Sequence, residues 1–81
     1  LLINGAIVVD VRTVEEFNSG HVKGSLNIPM SSLLSNMERL KGKEVILVCR
    51  SGMRAQNAKG MLKSNGIQAY NAGAWQNISE L

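Results

Sequence analysis

The sequence predicts a small α/β domain, built on a parallel sheet with helices on both faces. Short apolar runs alternate with stretches of helical pattern along its 81 residues, which is typical of repeated βα units. The run Val45-Ile46-Leu47-Val48 is apolar and rich in β-branching, as expected for a strand buried on both faces of a parallel sheet. A chain of this length forms one domain, so we expect a single domain over residues 1–81.

The first half of the chain contains two predicted strands with a short helix between them. Residues 6–9, with the sequence Ala-Ile-Val-Val, form the first strand. Thr13 and Glu16 have the spacing of a capping box, which predicts a helix that begins after Thr13 and ends at Gly20. Residues 26–28 form a second, brief strand, which a proline closes.

The middle of the chain predicts a helix followed by the most apolar strand. Ser31 or Ser32 caps this helix and Gly42 ends it. Its apolar residues share one face at helical spacing: Leu33, Leu34, Met37 and Leu40. Residues 45–48 then form the third strand, which reaches the only cysteine of the chain.

The last third predicts a helix, a strand and the start of another helix. The helix begins near Arg54 or Ala55 and ends at residues 65–66, an Asn-Gly pair that suits a left-handed helix end. Residues 68–70 form the fourth strand, and residues 71–75 are predicted as a turn into a terminal helix.

Composition and charge narrow the classes of partner. The net charge is +3 and the pI is about 9.4, but the nine basic residues are spread along the chain. One Phe, one Tyr and one Trp provide no aromatic series for stacking bases. We therefore expect no nucleic-acid partner, and the mild positive charge favours small anions instead.

The sequence also limits the expected location and assembly. It has no apolar run of about 18 residues, so no membrane association is predicted. One cysteine forms no internal disulfide and requires no oxidising compartment. We expect a cytoplasmic monomer, with a periplasmic location as the alternative if an export signal has been removed from a chain that does not begin with Met.

Cys49 lies where the third strand gives way to Arg50-Ser51-Gly52-Met53-Arg54. Ligands of open α/β sheets bind outside the carboxyl ends of the strands, where this pattern places the thiol. The backbone N–H groups of residues 50–54, the positive end of the next helix and two arginines all favour a thiolate over a thiol. We interpret Cys49 as a reactive residue in an anion-binding loop. The alternative is a small buried apolar side chain, the more frequent role of a lone cysteine.

Asp10 and Arg12 follow the first strand and are expected near this site. The carboxyl ends of parallel strands share one edge of the sheet, which brings both residues close to Cys49 and to the turn at residues 71–75. Their simplest interpretation is structural: Asp10 caps the following turn, and Arg12 pairs with Glu15 or Glu16.

His21 is the only histidine, and a cysteine with a histidine raises the possibility of a nucleophile and its base. His21 lies on a different connection from Cys49, next to a turn, so we expect it to bond neighbouring backbone instead. One cysteine and one histidine are too few ligands for a zinc site, and no metal is predicted.

Several short motifs, in this order and spacing, resemble the single-domain rhodanese family of thiosulfate sulfurtransferases. The likeness extends over almost the whole chain. It rests on Asp10-Val11-Arg12, Glu15-Glu16-Phe17, Gly20-His21-Val22-x-Gly24-Ser25-x-Asn27-Ile28-Pro29, Cys49-Arg50-Ser51-Gly52-Met53-Arg54 and Gly73-Ala74-Trp75. The resemblance also implies that an N-terminal strand and helix segment is missing, with Leu1-Leu2 as the tail of that helix.

The resemblance implies a persulfide mechanism without metal or organic cofactor. Cys49 would take a sulfane sulfur from an anionic donor such as thiosulfate and pass it to cyanide or a thiol. Loop N–H groups from Arg50 to Arg54 would stabilise the persulfide, and Arg54 would meet the anionic donor. A protein partner in a sulfur relay is also implied. A persulfide carrier or a regulatory binding module with little turnover is the alternative function.

Loop length separates this chain from phosphatases that resemble rhodaneses. Those enzymes have a Cys-x5-Arg loop, whereas Cys49 and Arg54 give Cys-x4-Arg. A tighter loop fits a sulfur atom better than a tetrahedral phosphate, which ranks phosphatase and arsenate-reductase functions low. Residues 71–74 depart from the paired glycine that many members carry at this position.

Overall fold

The computed structural model describes residues 6–50 and 52–75. Its strands are β1 (Ile7–Asp10), β2 (Leu26–Asn27), β3 (Glu44–Cys49) and β4 (Gln68–Ala74), and its α-helices are α1 (Val14–Ser19), α2 (Met37–Leu40) and α3 (Met53–Ser64). The strands form one sheet in the order β2-β1-β3-β4, with every adjacent pair parallel. The predicted α/β fold with a parallel sheet is therefore confirmed. Ser51, Leu1-Leu2 and the predicted terminal helix beyond Trp75 lie outside the described residues.

Both faces of the sheet are covered by apolar side chains. Val45, Leu47 and Cys49 alternate along β3 and join the larger core cluster, in which three residues of α3 pack: Ala55, Ala58 and Leu62. Val48 faces the other side, with Val8 and Val22. The four-residue apolar run of β3 is thus explained by a core on each face of the sheet.

Residues 30–40 differ from the single helix that the sequence predicts. They form two 3₁₀ turns, Met30–Ser32 and Leu34–Asn36, before the single turn of α2. Polar side chains account for the interruption, because Asn36 Nδ2 and Ser35 Oγ donate to the carbonyl oxygen of Ser32, at 2.8 and 3.0 Å. The prediction that Leu34 packs inward is also wrong, since its side chain is 67% exposed.

The fourth strand is longer than predicted. It continues to Ala74, whereas the sequence suggests a turn from Asn71 onward. Pairing explains the difference, because β3 supplies hydrogen-bonding partners up to Cys49, which pairs with Ala74 after an irregularity in the register. A tertiary contact therefore overrides the poor strand propensity of the sequence Asn-Ala-Gly-Ala.

The boundaries of the two longer α-helices agree with prediction. Thr13 and Glu16 form the expected capping box, with backbone N–H to side-chain oxygen distances of 3.0 and 3.2 Å. α3 ends at Ser64 before Asn65 and Gly66, and Gly66 has a φ of +77°. At 12 residues, α3 is the longest helix in the described ranges, and none there is long and apolar enough to span a bilayer, which takes about 20 residues.

Candidate active site

The Cys49 sulfur lies at the carboxyl end of β3, against the first turn of α3. It accepts hydrogen bonds from the backbone N–H groups of Gly52, at 2.8 Å, and Ala55, at 3.4 Å. The side chain is fully buried, although the sequence places it at an open strand end. The sulfur thus combines a position in the larger core cluster with two N–H donors directed at it.

Gly52 brings the loop back over the sulfur. Its φ of +97° is in the left-handed region, which glycine adopts without a steric penalty. A Cβ at this position would lie 3.3 Å from the Cα of Gly73 in β4. Both the backbone conformation and the close approach of β4 therefore select glycine here.

Asn71 ties the loop to β4. Its side-chain Nδ2 donates to the carbonyl oxygen of Gly52 at 3.1 Å and to Oε1 of Gln56 at 3.0 Å. Its Oδ1 accepts from the backbone N–H of Gly73 at 2.8 Å. One amide thus fixes Gly52, whose N–H contacts the Cys49 sulfur, relative to the neighbouring strand.

Arg54 is paired with Glu16, the N3 residue of α1. Its Nη1 donates to Glu16 Oε1 at 2.7 Å, and its Nη2 donates to Glu16 Oε2 at 3.0 Å. The sequence analysis gave Arg54 the role of meeting an anionic donor, but two of its nitrogens already bind a carboxylate. The same carboxylate is also held by the capping box, since the backbone N–H of Thr13 donates to Glu16 Oε1 at 3.0 Å.

The ion pair shifts the pKa values of both Glu16 and Arg54. The pKa of Glu16 is lowered from 4.5 to about 2, first by the hydrogen bond from Arg54 and then by the backbone hydrogen bond from Thr13, while desolvation opposes the shift. The pKa of Arg54 is raised by the hydrogen bond to Glu16, and the charges of Glu16, Cys49 and Asp10 add to this. Arg54 is therefore a permanent cation that is within electrostatic range of Cys49 and is already matched by a carboxylate.

Asp10 and Arg12 form a buried ion pair at the end of β1. Arg12 Nη2 and Nε donate to Asp10 Oδ2 at 2.7 and 3.0 Å, and Nε also lies 2.9 Å from Oδ1. The expectation that Arg12 pairs with Glu15 or Glu16 is thus wrong. Arg12 lies in a bend directly after β1, and its backbone N–H also donates to Asp10 Oδ1 at 2.9 Å, so the local turn holds the guanidinium beside Asp10.

Further contacts fix Arg12 in place. Nη2 donates to the carbonyl oxygen of Gly20 at 2.6 Å, and the guanidinium carbon lies 4.9 Å from the ring centroid of Trp75. Asn27 Nδ2 donates to the carbonyl oxygens of Asp10 and Arg12, both at 3.0 Å. Arg12 thereby links the end of β1 to the chain after α1 and to Trp75.

Four other residues were considered for this site from the sequence: Arg50, Ser51, Met53 and His21. Arg50 and Met53 are exposed, and Met53 is 75% exposed at the start of α3. Ser51 is outside the described residues. His21 stacks on Phe17 at 3.7 Å, and its Nδ1 lies 2.8 Å from the Phe17 carbonyl oxygen, which confirms that it bonds neighbouring backbone. Residues 6–50 and 52–75 contain no cluster of three side chains able to hold a metal ion.

The sequence does not predict the contacts that Glu16 and Asn71 make at this site. Its pattern indicates a capping box for Glu16 and a pair with Arg12, and nothing local indicates that the Glu16 carboxylate reaches Arg54, 38 residues further on. Asn71 was placed in a turn. A polar side chain followed two residues later by a glycine, at the end of a strand next to the Cys49 strand, was the available signal.

A model of the protein family described as Rhodanese-like domain matches residues 1–80. Among curated relatives, YqhL of Bacillus subtilis is 37% identical over 82% of this chain and 54% of its own length. The putative sulfurtransferase YtwF of the same organism is 37% identical over 79% of this chain and 63% of its own length. The putative sulfur carrier protein YrkF of Bacillus subtilis is 29% identical over 75% of this chain and 34% of its own length. The chain therefore spans about half the length of the first of these relatives.

Two solved structures of rhodanese proteins have the same fold as this chain. A rhodanese-like domain protein from Staphylococcus aureus superposes with a TM-score of 0.85 at 30% sequence identity, over 98% of this chain and 78% of that one. Rhodanese from Escherichia coli, solved with anions, superposes with a TM-score of 0.84 at 26% identity, over 94% of each chain.

Proposed function

Because the chain belongs to the rhodanese-like domain family, we propose that it is a sulfurtransferase in which the Cys49 sulfur carries the transferred atom. The donor is thiosulfate or a persulfide, and the acceptor is cyanide or a thiol. A relative named as a putative sulfurtransferase supports this assignment.

The observation that carries the proposal is the pair of backbone N–H groups directed at the Cys49 sulfur. They favour negative charge on the Cys49 sulfur both when it attacks the donor and when the acceptor removes the transferred sulfur and releases it again as the leaving group. Arg50, the next residue in the chain, adds a positive charge at this end of β3.

The reaction proceeds in two balanced steps. The Cys49 thiolate attacks the outer sulfur of thiosulfate, a sulfur–sulfur bond forms at Cys49, the donor's own sulfur–sulfur bond breaks, and sulfite leaves with the electron pair. Cyanide then attacks the terminal sulfur of the persulfide, thiocyanate leaves, and the Cys49 thiolate is restored. With a thiol acceptor, the sulfur leaves as the acceptor's persulfide.

Intact-mass spectrometry tests the proposal directly. The protein is incubated with thiosulfate, or with methanethiosulfonate, which carries the same transferable sulfur. We expect the mass of one added sulfur atom, which cyanide removes with release of thiocyanate. Cys49→Ser is the matched control: it should fold like the parent and take up no sulfur. Loading that survives this substitution would refute the role of Cys49.

The name of a relative, putative sulfur carrier protein, supports a second candidate, a persulfide carrier with little turnover of its own. A carrier would be loaded by a protein persulfide and would release sulfur only to a protein acceptor. Negligible loading by small donors, together with loading from a protein persulfide, would favour the carrier over the enzyme.

A further inference from the structure

We propose that Glu16 sets the charge preference of this site for its sulfur donor, because it holds the Arg54 guanidinium and so disfavours donors with two negative charges. The inference rests on the proposed sulfurtransferase function and narrows its donor class. It assigns Glu16 a role in specificity that the capping box alone does not explain.

The two N–H donors that Arg54 could offer to an anionic donor are already bound to Glu16. A guanidinium binds an oxyanion best through two parallel N–H donors, and Arg54 directs two such donors, Nη1 and Nη2, at the two oxygens of Glu16. The sulfonate oxygens of thiosulfate would need the same donors. To gain them, thiosulfate must displace a carboxylate that Thr13 also holds through its backbone N–H, at 3.0 Å.

Charge is the second argument. Arg54 and Glu16 sum to zero, so an approaching dianion meets a neutral pair where the sequence predicts an unopposed cation. The pKa of Glu16, lowered to about 2, keeps its carboxylate ionised across the neutral range. Arg54 directly precedes Ala55, whose backbone N–H lies 3.4 Å from the Cys49 sulfur, so the pair lies beside the reacting atom.

These observations favour a donor with at most one negative charge, and a persulfide, R–S–SH, fits that description. The Cys49 thiolate attacks the outer sulfur of R–S–SH, Cys49–S–SH forms, and R–S⁻ leaves with the electron pair. The Cys49 sulfur keeps the N–H groups of Gly52 and Ala55 as hydrogen-bond donors, and the transferred sulfur is bonded to it. No second anionic group requires Arg54.

Two sulfur donors that differ by one negative charge allow the charge preference of the site to be measured. Thiosulfate is a dianion and methanethiosulfonate is a monoanion, and each delivers one sulfane sulfur to cyanide. The measured quantity is the ratio of kcat/KM for thiosulfate to kcat/KM for methanethiosulfonate. Glu16→Gln keeps the shape of the side chain and the capping box, which accepts Gln at this position, but removes the charge.

We expect Glu16→Gln to raise this ratio about fivefold, mainly by lowering KM for thiosulfate, since a partly exposed charge pair has effects of about that size. The increase should shrink at high ionic strength. Glu15→Gln is the matched control. It removes the same charge from the adjacent, exposed position of α1, and it should leave the ratio unchanged.

Arg54→Gln tests the same idea from the opposite side and keeps it testable if Glu16→Gln does not fold. It leaves the Glu16 carboxylate without its guanidinium, so the ratio should fall below that of the parent protein. A ratio that stays constant in both variants, or that changes equally in Glu15→Gln, would overturn the inference. Failure of the parent protein to accept sulfur from thiosulfate, methanethiosulfonate or a small persulfide would instead count against the proposed enzyme and leave the carrier as the function to test.

Discussion

Arg12→Met should destabilise the domain severely, because it leaves a carboxylate buried without its cation. Asp10 is fully buried and Arg12 is 4% exposed, and the guanidinium supplies hydrogen bonds to both carboxylate oxygens. In the variant, Asp10 keeps only the backbone N–H of residue 12, at 2.9 Å. Methionine still fills the space beside Trp75, so the change isolates the loss of charge and of hydrogen bonds.

The expected loss is large relative to the whole stability. Breaking a buried ion pair from one side costs about 3–5 kcal/mol. A domain of 81 residues has about 4–12 kcal/mol in total, at about 0.05–0.15 kcal/mol per residue. At about 4–8 °C per kcal/mol for a domain of this size, Tm should fall by at least about 12 °C.

Urea unfolding of three proteins tests this reasoning: the parent, Arg12→Met and the double variant Asp10→Leu/Arg12→Met. The double variant removes the orphaned carboxylate and should cost only about 1–2 kcal/mol, mainly for the backbone N–H that loses its acceptor. Two results would contradict the account. One is a loss below about 1 kcal/mol in Arg12→Met, and the other is a double variant that is less stable than the single one.

Three further predictions concern the Cys49 loop and its neighbours. Gly52→Ala should lower the free energy of unfolding by about 1–2 kcal/mol because of the left-handed φ at this position, and the 3.3 Å approach of β4 should add to this loss. It should also slow sulfur loading in the mass assay. The control is Gly42→Ala, which has a φ of +80° and open space around it, so it should be similarly strained but should load sulfur normally. Because the pKa of Glu16 is lowered on folding, the folded state binds fewer protons, and the stability that the Arg54–Glu16 pair contributes is complete above about pH 4.5 and is lost as pH falls toward 2. The free energy of unfolding measured against pH should show this loss in the parent protein. Glu16→Gln should not show it. Asn71→Ala should slow sulfur loading and cost about 1 kcal/mol in urea unfolding, because Gly52 loses its tie to β4; loading at the parent rate would show that the tie does not position the loop.

Periodicity and local capping were sufficient to predict most of the secondary structure. The apolar run at 45–48 predicts a strand because burial on both sheet faces requires apolar residues at every position. The capping box at Thr13 and Glu16 involves atoms only three residues apart, so sequence spacing alone defines it. The position of Cys49 at the carboxyl end of a strand follows from the same pattern.

Other features depend on contacts between residues that are distant in the chain. The helix predicted near Leu34 is broken by serine and asparagine side chains that bond backbone, and its apolar spacing does not reveal this competition. The extension of β4 to Ala74 depends on pairing with β3. In both cases, a preference estimated from local sequence is outweighed by a specific hydrogen-bonding partner.

The sequence by itself determined the α/β class, the parallel sheet and the place of Cys49 beside a basic loop, because each depends on short-range pattern and on the geometry of strand ends. Only the tertiary structure decided the partners of the charged groups: Arg12 with Asp10, and Arg54 with Glu16. It also decided that Gly52 covers the Cys49 sulfur. The physical reason is that charge pairing and burial depend on distances in space, and the fold brings Glu16 to a residue 38 positions away.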